Sequence, residues 1–193
     1  MPRIKTFDEN EVLVKAMNLF WKQGYSATSV QDLVSHLGIN RASLYDTFGD
    51  KEQLFKKSFA LYRKSTMEGL IHFFGNHPNI KHGFSTLFDN AIQESIQDKD
   101  AKGCFVVNTI TERIPNDESL IKVIEENKRD FENLFYDYLK KGKDEGQLKT
   151  EQNLKSLSSL LFMLFNGIKV VSKINPQKQE LKNTIDIALT LIY

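Results

Sequence analysis

The strongest constraint on this chain is the punctuation of residues 24–51. Glycine cuts the segment at Gly24, Gly38 and Gly49, and each cut is followed within four residues by a side chain able to cap a helix: Thr28, Asn40 and Asp50. Between the cuts apolar residues recur at spacings of three and four, as Val30, Leu33, Val34 and Leu37 and then as Leu44, Tyr45 and Phe48. That leaves room for two helices of about two turns each. Helices so short do not persist alone, so they must fold onto one another and onto a neighbour. Thr28 with Gln31, and Asp50 with Gln53, have the spacing of capping boxes.

The same period runs through the remaining sequence. Val12, Ala16, Leu19 and Phe20 form one stripe on a preceding helix that Gly24 closes, and a long helix follows Asp50 to about Phe74. After the break Gly75-Asn76-His77-Pro78, the pattern predicts a helix carrying Ile80, Phe84, Leu87, Phe88 and Ile92, then a polar loop over 98–103. A short apolar segment from Cys104 to Thr111 comes next, and Pro115-Asn116 starts a long amphipathic helix. Two final helices, over 151–173 and 177–193, are separated by Asn175-Pro176. No polar–apolar alternation is long enough for a strand and no repeat occurs, so the expected fold is all-α with about nine helices.

Composition removes several classes. One cysteine cannot make an intrachain disulfide, and 193 residues can bury most of their apolar surface without a metal staple. The longest uninterrupted apolar run, Leu160 to Phe165, falls short of the roughly 20 residues of a membrane span. The opening MPRIKTFDEN lacks the apolar stretch of a secretory signal, so a cytoplasmic location is expected. A net charge of +1 taken alone argues against nucleic acid, but the charge is unevenly placed. Residues 1–64 carry ten Lys+Arg against seven Asp+Glu, and residues 65–193 carry 16 against 18. An ordinary solvated face varies as much, so the basic block gains meaning only from a motif within it. The balance predicts modest non-specific affinity for DNA and a shallow salt dependence.

Such a motif is present. Val30–Phe48 has the spacing of a helix-turn-helix: Gly38 takes the turn, Val34 sits where the helices cross, and Leu33, Leu37, Ile39, Leu44 and Phe48 lock their angle. The outer face of the second helix then presents Arg41, Ala42, Ser43, Tyr45, Asp46 and Thr47, small or hydrogen-bonding residues suited to a major groove. Residues 24–55, GYSATSVQDLVSHLGINRASLYDTFGDKEQLF, closely resemble the N-terminal DNA-binding region of the tetracycline-repressor-like (TetR/AcrR) transcriptional regulators. The likeness lies in the G-Y…T-S-V entry, the L-G-I-N turn, the S-L-Y…F segment and the G-D-K-E…L-F start of the next helix.

This resemblance implies a three-helix DNA-binding domain over residues 1–50 and a helical ligand-binding and dimerisation domain over 51–193. It implies a homodimer on a palindromic double-stranded operator, which represses or less often activates promoters and lets go when a small apolar or amphipathic effector binds. No enzyme activity, cofactor or metal is expected. Carried over residue by residue, Thr28 and Ser29 match phosphate-contacting positions, and Arg41 and Ser43 match positions that reach base edges. Ala42 stands between them where many relatives have Gly. Tyr45 matches a tyrosine that packs by its ring and meets the DNA backbone by its hydroxyl, and Lys51 a lysine that closes on a phosphate. Asp46 departs from the pattern, since a carboxylate repels phosphate unless it pairs with Arg41 or accepts from cytosine.

In the second domain the middle helices are expected to enclose the effector, with Tyr62, Phe84, Phe88, Cys104, Asn108, Phe131 and Phe135 as lining. The final two helices carry more apolar residues than one buried stripe needs. Leu157, Leu160, Leu161, Phe162, Leu164, Phe165, Ile168 and Val171, followed by Leu181, Ile185, Ala188, Leu191 and Ile192, predict burial against a second copy. His72, His77 and His82, spaced by five, face different directions and suit no metal. Cys104 beside Phe105-Val106-Val107 reads as a buried inert thiol. The rival readings are an all-α enzyme, for which no phosphate loop, H-E-x-x-H or flanked nucleophile is present, and a DNA-binding regulator controlled by a protein partner or by oxidation of Cys104.

Overall fold

A computed structural model describes residues 7–114, 117–174 and 177–192. Among them run nine α-helices and no strand: α1 Glu9–Gln23, α2 Val30–Leu37, α3 Arg41–Phe48, α4 Lys51–Gly75, α5 Ile80–Gln97, α6 Phe105–Arg113, α7 Ile121–Asp144, α8 Leu154–Val171 and α9 Lys178–Leu189. Short 3₁₀ turns, Glu118–Leu120 and Thr190–Ile192, precede α7 and follow α9. The expected boundary residues Pro115-Asn116, Asn175-Pro176 and Tyr193 lie outside the described residues.

Local chemistry sets most helix starts. Asn40 Oδ1 accepts from the Ser43 N–H at 2.8 Å to start α3, and Asp50 Oδ1 accepts from the Gln53 N–H at 2.8 Å to start α4, although the reciprocal bond of a capping box is not formed there. At α2 the cap falls one residue later than expected. Thr28 is fully buried and its hydroxyl donates back to the Gly24 carbonyl at 2.6 Å, so exposed Ser29 becomes the N-cap. The true capping box is Ser29 with Asp32, not Thr28 with Gln31.

Two apolar cores form. The first joins α1, α2 and α3 to the start of α4 and to α6, with Phe20, Leu33, Leu44, Phe55 and Phe105 at its centre. The second joins the end of α4 to α5, α7, α8 and α9 around Phe74, Phe84, Phe88, Phe135 and Leu139. Each such side chain contributes about 1.5–3 kcal/mol of transfer free energy on burial. The 25-residue α4 threads both, giving Leu54, Phe55 and Phe59 to one and Leu70 and Phe74 to the other. The turn after α4 is held by Tyr138, whose hydroxyl donates to the carbonyls of His77 and Asn79. Burial pushes that phenol up to about 12. Gly83 leaves the space the Tyr138 ring occupies, and a methyl there would strike the phenol.

Candidate functional site

The helix-turn-helix is built from its buried underside outward. Gly38 adopts the left-handed conformation, φ 69°, and its N–H bonds the Val34 carbonyl at 3.2 Å, ending α2 and turning the chain. Leu33, Leu37, Ile39, Leu44 and Phe48 are buried and Val34 is half-buried, so α3 is fixed against α2 by one side only. On the free side Arg41, Ala42, Tyr45 and Asp46 are exposed and Ser43 is half-buried. The Arg41 guanidinium lies 5.8 Å from the centre of the Tyr45 ring, one turn on. Among the described residues no ion pair joins Arg41 to Asp46, so the arginine is available to an anion or a base edge.

Ser29 and Lys51 lie together beside the start of α2. The Ser29 hydroxyl donates to Asp32 Oδ2 at 2.6 Å, which holds the Asp32 carboxyl below its usual range, with Lys51 nearby adding to the effect. A first-turn helix end leaves N–H groups over, and here the N–H groups of Val30 and Gln31 have no acceptor among the described residues. Thr28, expected to meet phosphate through its hydroxyl, keeps that hydroxyl inside on Gly24. Its contribution is to shape the turn. Lys51 is half-buried with its ammonium 4.2 Å from the Tyr25 ring centre. Burial lowers its pKa, with Arg113 in the same sense and Glu112 and Glu52 opposing.

Behind this surface α6 is bonded to the turn between α1 and α2. Glu112 accepts from the Tyr25 N–H at 3.0 Å and the Ser26 N–H at 2.6 Å. Gly24 makes room, since a side chain there would meet the Glu112 carboxylate. Arg113 stacks 3.9 Å over the Tyr25 ring and pairs with Glu52 at 3.0 Å and Asp117 at 2.6 Å, joining α4, α6 and the turn. Neither the Glu112–Tyr25 nor the Arg113–Glu52 contact was visible from sequence, because they act across 87 and 61 residues.

A cavity of about 430 Å³ opens beside the same junction, walled by α1, α4, α5, α6, α7 and α8. Of the expected lining, Tyr62, Cys104 and Phe131 face it. Phe84, Phe88 and Phe135 do not: all three are fully buried in the second core, packed by ring-edge contacts to Phe74 and Phe165. Asn108 also stays outside, accepting from Lys173 Nζ at 2.8 Å and donating to the Lys102 carbonyl at 2.7 Å. Sequence reading missed Trp21, whose ring lies 4.9 Å from that of Tyr62 and whose Nε1 donates to the Gly103 carbonyl at 3.1 Å, and Arg63, whose Nε donates to Asn127 Oδ1 at 3.2 Å. Cys104 is half-buried, not enclosed, with its sulfur 3.9 Å from the Tyr62 hydroxyl.

α8 and the chain after it expose Met163, Val170, Val171 and Ile174, α9 exposes Ile187, and the 3₁₀ turn after α9 exposes Leu191. The spacings of three, four and seven put these on continuous stripes. By length and composition α8 is apolar enough to cross a membrane, although it carries Lys155 and Lys169. His77 stacks on Phe73 at 4.1 Å, and no group of three metal-ligating side chains occurs among the described residues.

Comparison with known proteins places these features in a wider setting. The model of bacterial regulatory proteins of the tetR family matches residues 12–57, and that of the tetracyclin repressor-like C-terminal domain matches residues 84–188. The chain is 31% identical over 193 residues to an uncharacterised helix-turn-helix transcriptional regulator of Bacillus subtilis (strain 168), YezE, with 100% of both chains covered. It is 26% identical to the transcriptional repressor ComR of Escherichia coli (strain K12), over 98% of this chain and 90% of that one. Its fold is shared with a cysteine mutant of the TetR-family regulator CifR in complex with 26-base-pair operator DNA, with a TM-score of 0.86 at 24% identity, covering 99% and 100% of the two chains. The reduced form of Escherichia coli NemR superposes with a TM-score of 0.85 at 16% identity, covering 95% and 97%.

Proposed function

The chain belongs to the tetR family of bacterial regulatory proteins, DNA-binding transcriptional regulators and not enzymes, and on that premise we propose that it is a cytoplasmic repressor that binds a palindromic operator as a homodimer and releases it when a small molecule fills the cavity. The observation that carries the DNA contact is the free face of α3. Arg41 and Tyr45 stand exposed on a helix whose Leu44 and Phe48 are buried, so the outward face is anchored from below and open to solvent. Arg41 and Ser43 read base edges, Arg41 as the bidentate partner of guanine. Ser29, the start of α2, Tyr45 and Lys51 fix the register on phosphates, with Ala42 allowing close approach.

Dimerisation follows from the stripes on α8 and α9, which bury their apolar side chains against the same surface of a second copy. A two-fold dimer sets two α3 helices about 34 Å apart, one helical turn of DNA. Repression is the sense named for the relatives ComR and BdcR of Escherichia coli. The effector acts through α1: Trp21 belongs both to that helix and to the cavity wall, so filling the cavity shifts the base on which α2 and α3 rest.

The test is selection of genomic fragments on the purified protein. Enrichment of a palindrome with half-sites about one helical turn or a multiple apart is the expected outcome. Recovery of fragments sharing no symmetric sequence overturns the operator reading.

A further inference from the structure

The charges around the cavity do not cancel, and their imbalance names the class of molecule that fits. Three ionic side chains border it: Arg63, Lys169 and Glu94. Lys169 Nζ pairs with Glu94 Oε2 at 3.2 Å, which leaves Arg63. Arg63 is half-buried, and its guanidinium has five N–H donors, of which one is used, on the neutral oxygen of buried Asn127 at 3.2 Å. Among the described residues no carboxylate lies within ion-pair distance of it. The wall of the same cavity carries the rings of Trp21, Tyr62, Phe73, Phe131 and Phe162. A half-buried arginine with an open fork, bordering a cavity lined by aromatic rings, is a receptor for a planar anion attached to an apolar body.

Building on the reading of the cavity as the effector site, we infer that it selects organic anions: an aromatic or apolar carboxylate whose carboxyl group takes two N–H donors of Arg63 while its body lies among the rings. Asn127 is the positioning residue. By accepting from Nε it restrains the guanidinium and leaves both terminal nitrogens without a partner among the described residues. A volume of about 430 Å³ accommodates a small effector and is at the lower end for such sites.

Trp21, the sole tryptophan of the chain, lines the cavity and supplies the readout. Phenylbutanoate, phenylbutanamide and phenylbutylammonium are titrated against the full-length dimer while its tryptophan emission is followed. The anion binds about tenfold or more tighter than the amide, as expected for a charge-assisted bidentate contact, and the ammonium binds weakest. Arg63→Met removes the preference for the anion while retaining the amide, and Arg63→Lys keeps part of it; thermal melts show whether each variant is folded. Equal affinities, a preference surviving in Arg63→Met, or no response of Trp21 to any of the three overturns the inference.

Operator anisotropy on the same samples separates this inference from the earlier proposal. Anion bound through Arg63 with operator retained counts against release and leaves the anion preference standing. Amide releasing operator as well as the anion does overturns the preference and leaves release standing.

Discussion

Replacing Glu112 tests whether α6 truly fastens the turn between α1 and α2. Its carboxylate takes two backbone N–H groups, from Tyr25 at 3.0 Å and Ser26 at 2.6 Å. Hydrogen bonds to a charged group contribute about 1.5–3 kcal/mol each when shielded. Ser26 is exposed and Tyr25 half-buried, so water replaces part of what is lost, and the two bonds together stabilise the fold by about 2 kcal/mol. Glu112→Ala loses that amount, and Glu112→Gln, which keeps one neutral acceptor, loses about 1 kcal/mol. For a chain of this size that is about 4–8 °C and 2–4 °C in melting temperature at fixed protein concentration. The pH dependence follows from the same bonds. Burial raises the Glu112 carboxyl, but the Ser26 and Tyr25 N–H groups and Arg113 outweigh it, so the folded value lies below the ordinary 4.5. A depressed carboxylate contributes its full stabilisation above the unfolded value and loses it as pH falls through the folded one. The gap between wild type and Glu112→Ala is therefore constant from neutral pH down to about 5.5 and narrows below about 4.5. Calorimetric melts across that range read it directly. A gap under about 0.5 kcal/mol at neutral pH, or one that widens on acidification, refutes the reasoning.

Other perturbations follow from single contacts. Arg41→Ala weakens binding to the selected operator by about 1–3 kcal/mol and relaxes base preference, and a gel-shift titration showing unchanged affinity contradicts its placement on a base edge. Met163→Glu combined with Ile187→Glu puts charge on the exposed stripes of α8 and α9 and yields a monomer by light scattering at micromolar concentration; a dimeric mass excludes those stripes as the interface. Phe135→Ala, at a residue with no exposed surface, costs about 3–5 kcal/mol in denaturant unfolding, because it belongs to the core and not to a ligand wall. Lower cost would mean the site collapses or that the ring was never enclosed.

The helix-turn-helix was legible because its determinants are local. Gly38, Asn40 and Asp50 act on neighbours three or four residues away, and the periodic apolar set around Leu33 and Leu44 assigns a buried side without knowledge of the partner. The one-residue shift from Thr28 to Ser29 had no such local arbiter: both can cap, and burial of Thr28 against the Gly24 carbonyl decides between them. The cavity marks a second boundary. Periodicity tells which side of α5 or α7 is apolar but not how deep a residue lies, so Phe84, Phe88 and Phe135 read the same as Phe131, which reaches the cavity wall. Arg63 with Asn127 and Glu112 with Tyr25 sit 64 and 87 positions apart. Nothing in either member of those pairs announces the other.

The first core takes Phe105, Val106 and Leu120 from beyond α5 as well as the first three helices. A chimaera that exchanges reading heads between regulators by cutting at the start of α4 therefore separates Phe20 from the Phe55 ring it packs against, and through it from Phe105 on α6. Such a graft needs matched replacements on α4 and α6 as well as a new head. The junction that must be preserved is a surface made from three distant stretches of chain, and a cut placed by sequence alone runs through the middle of it.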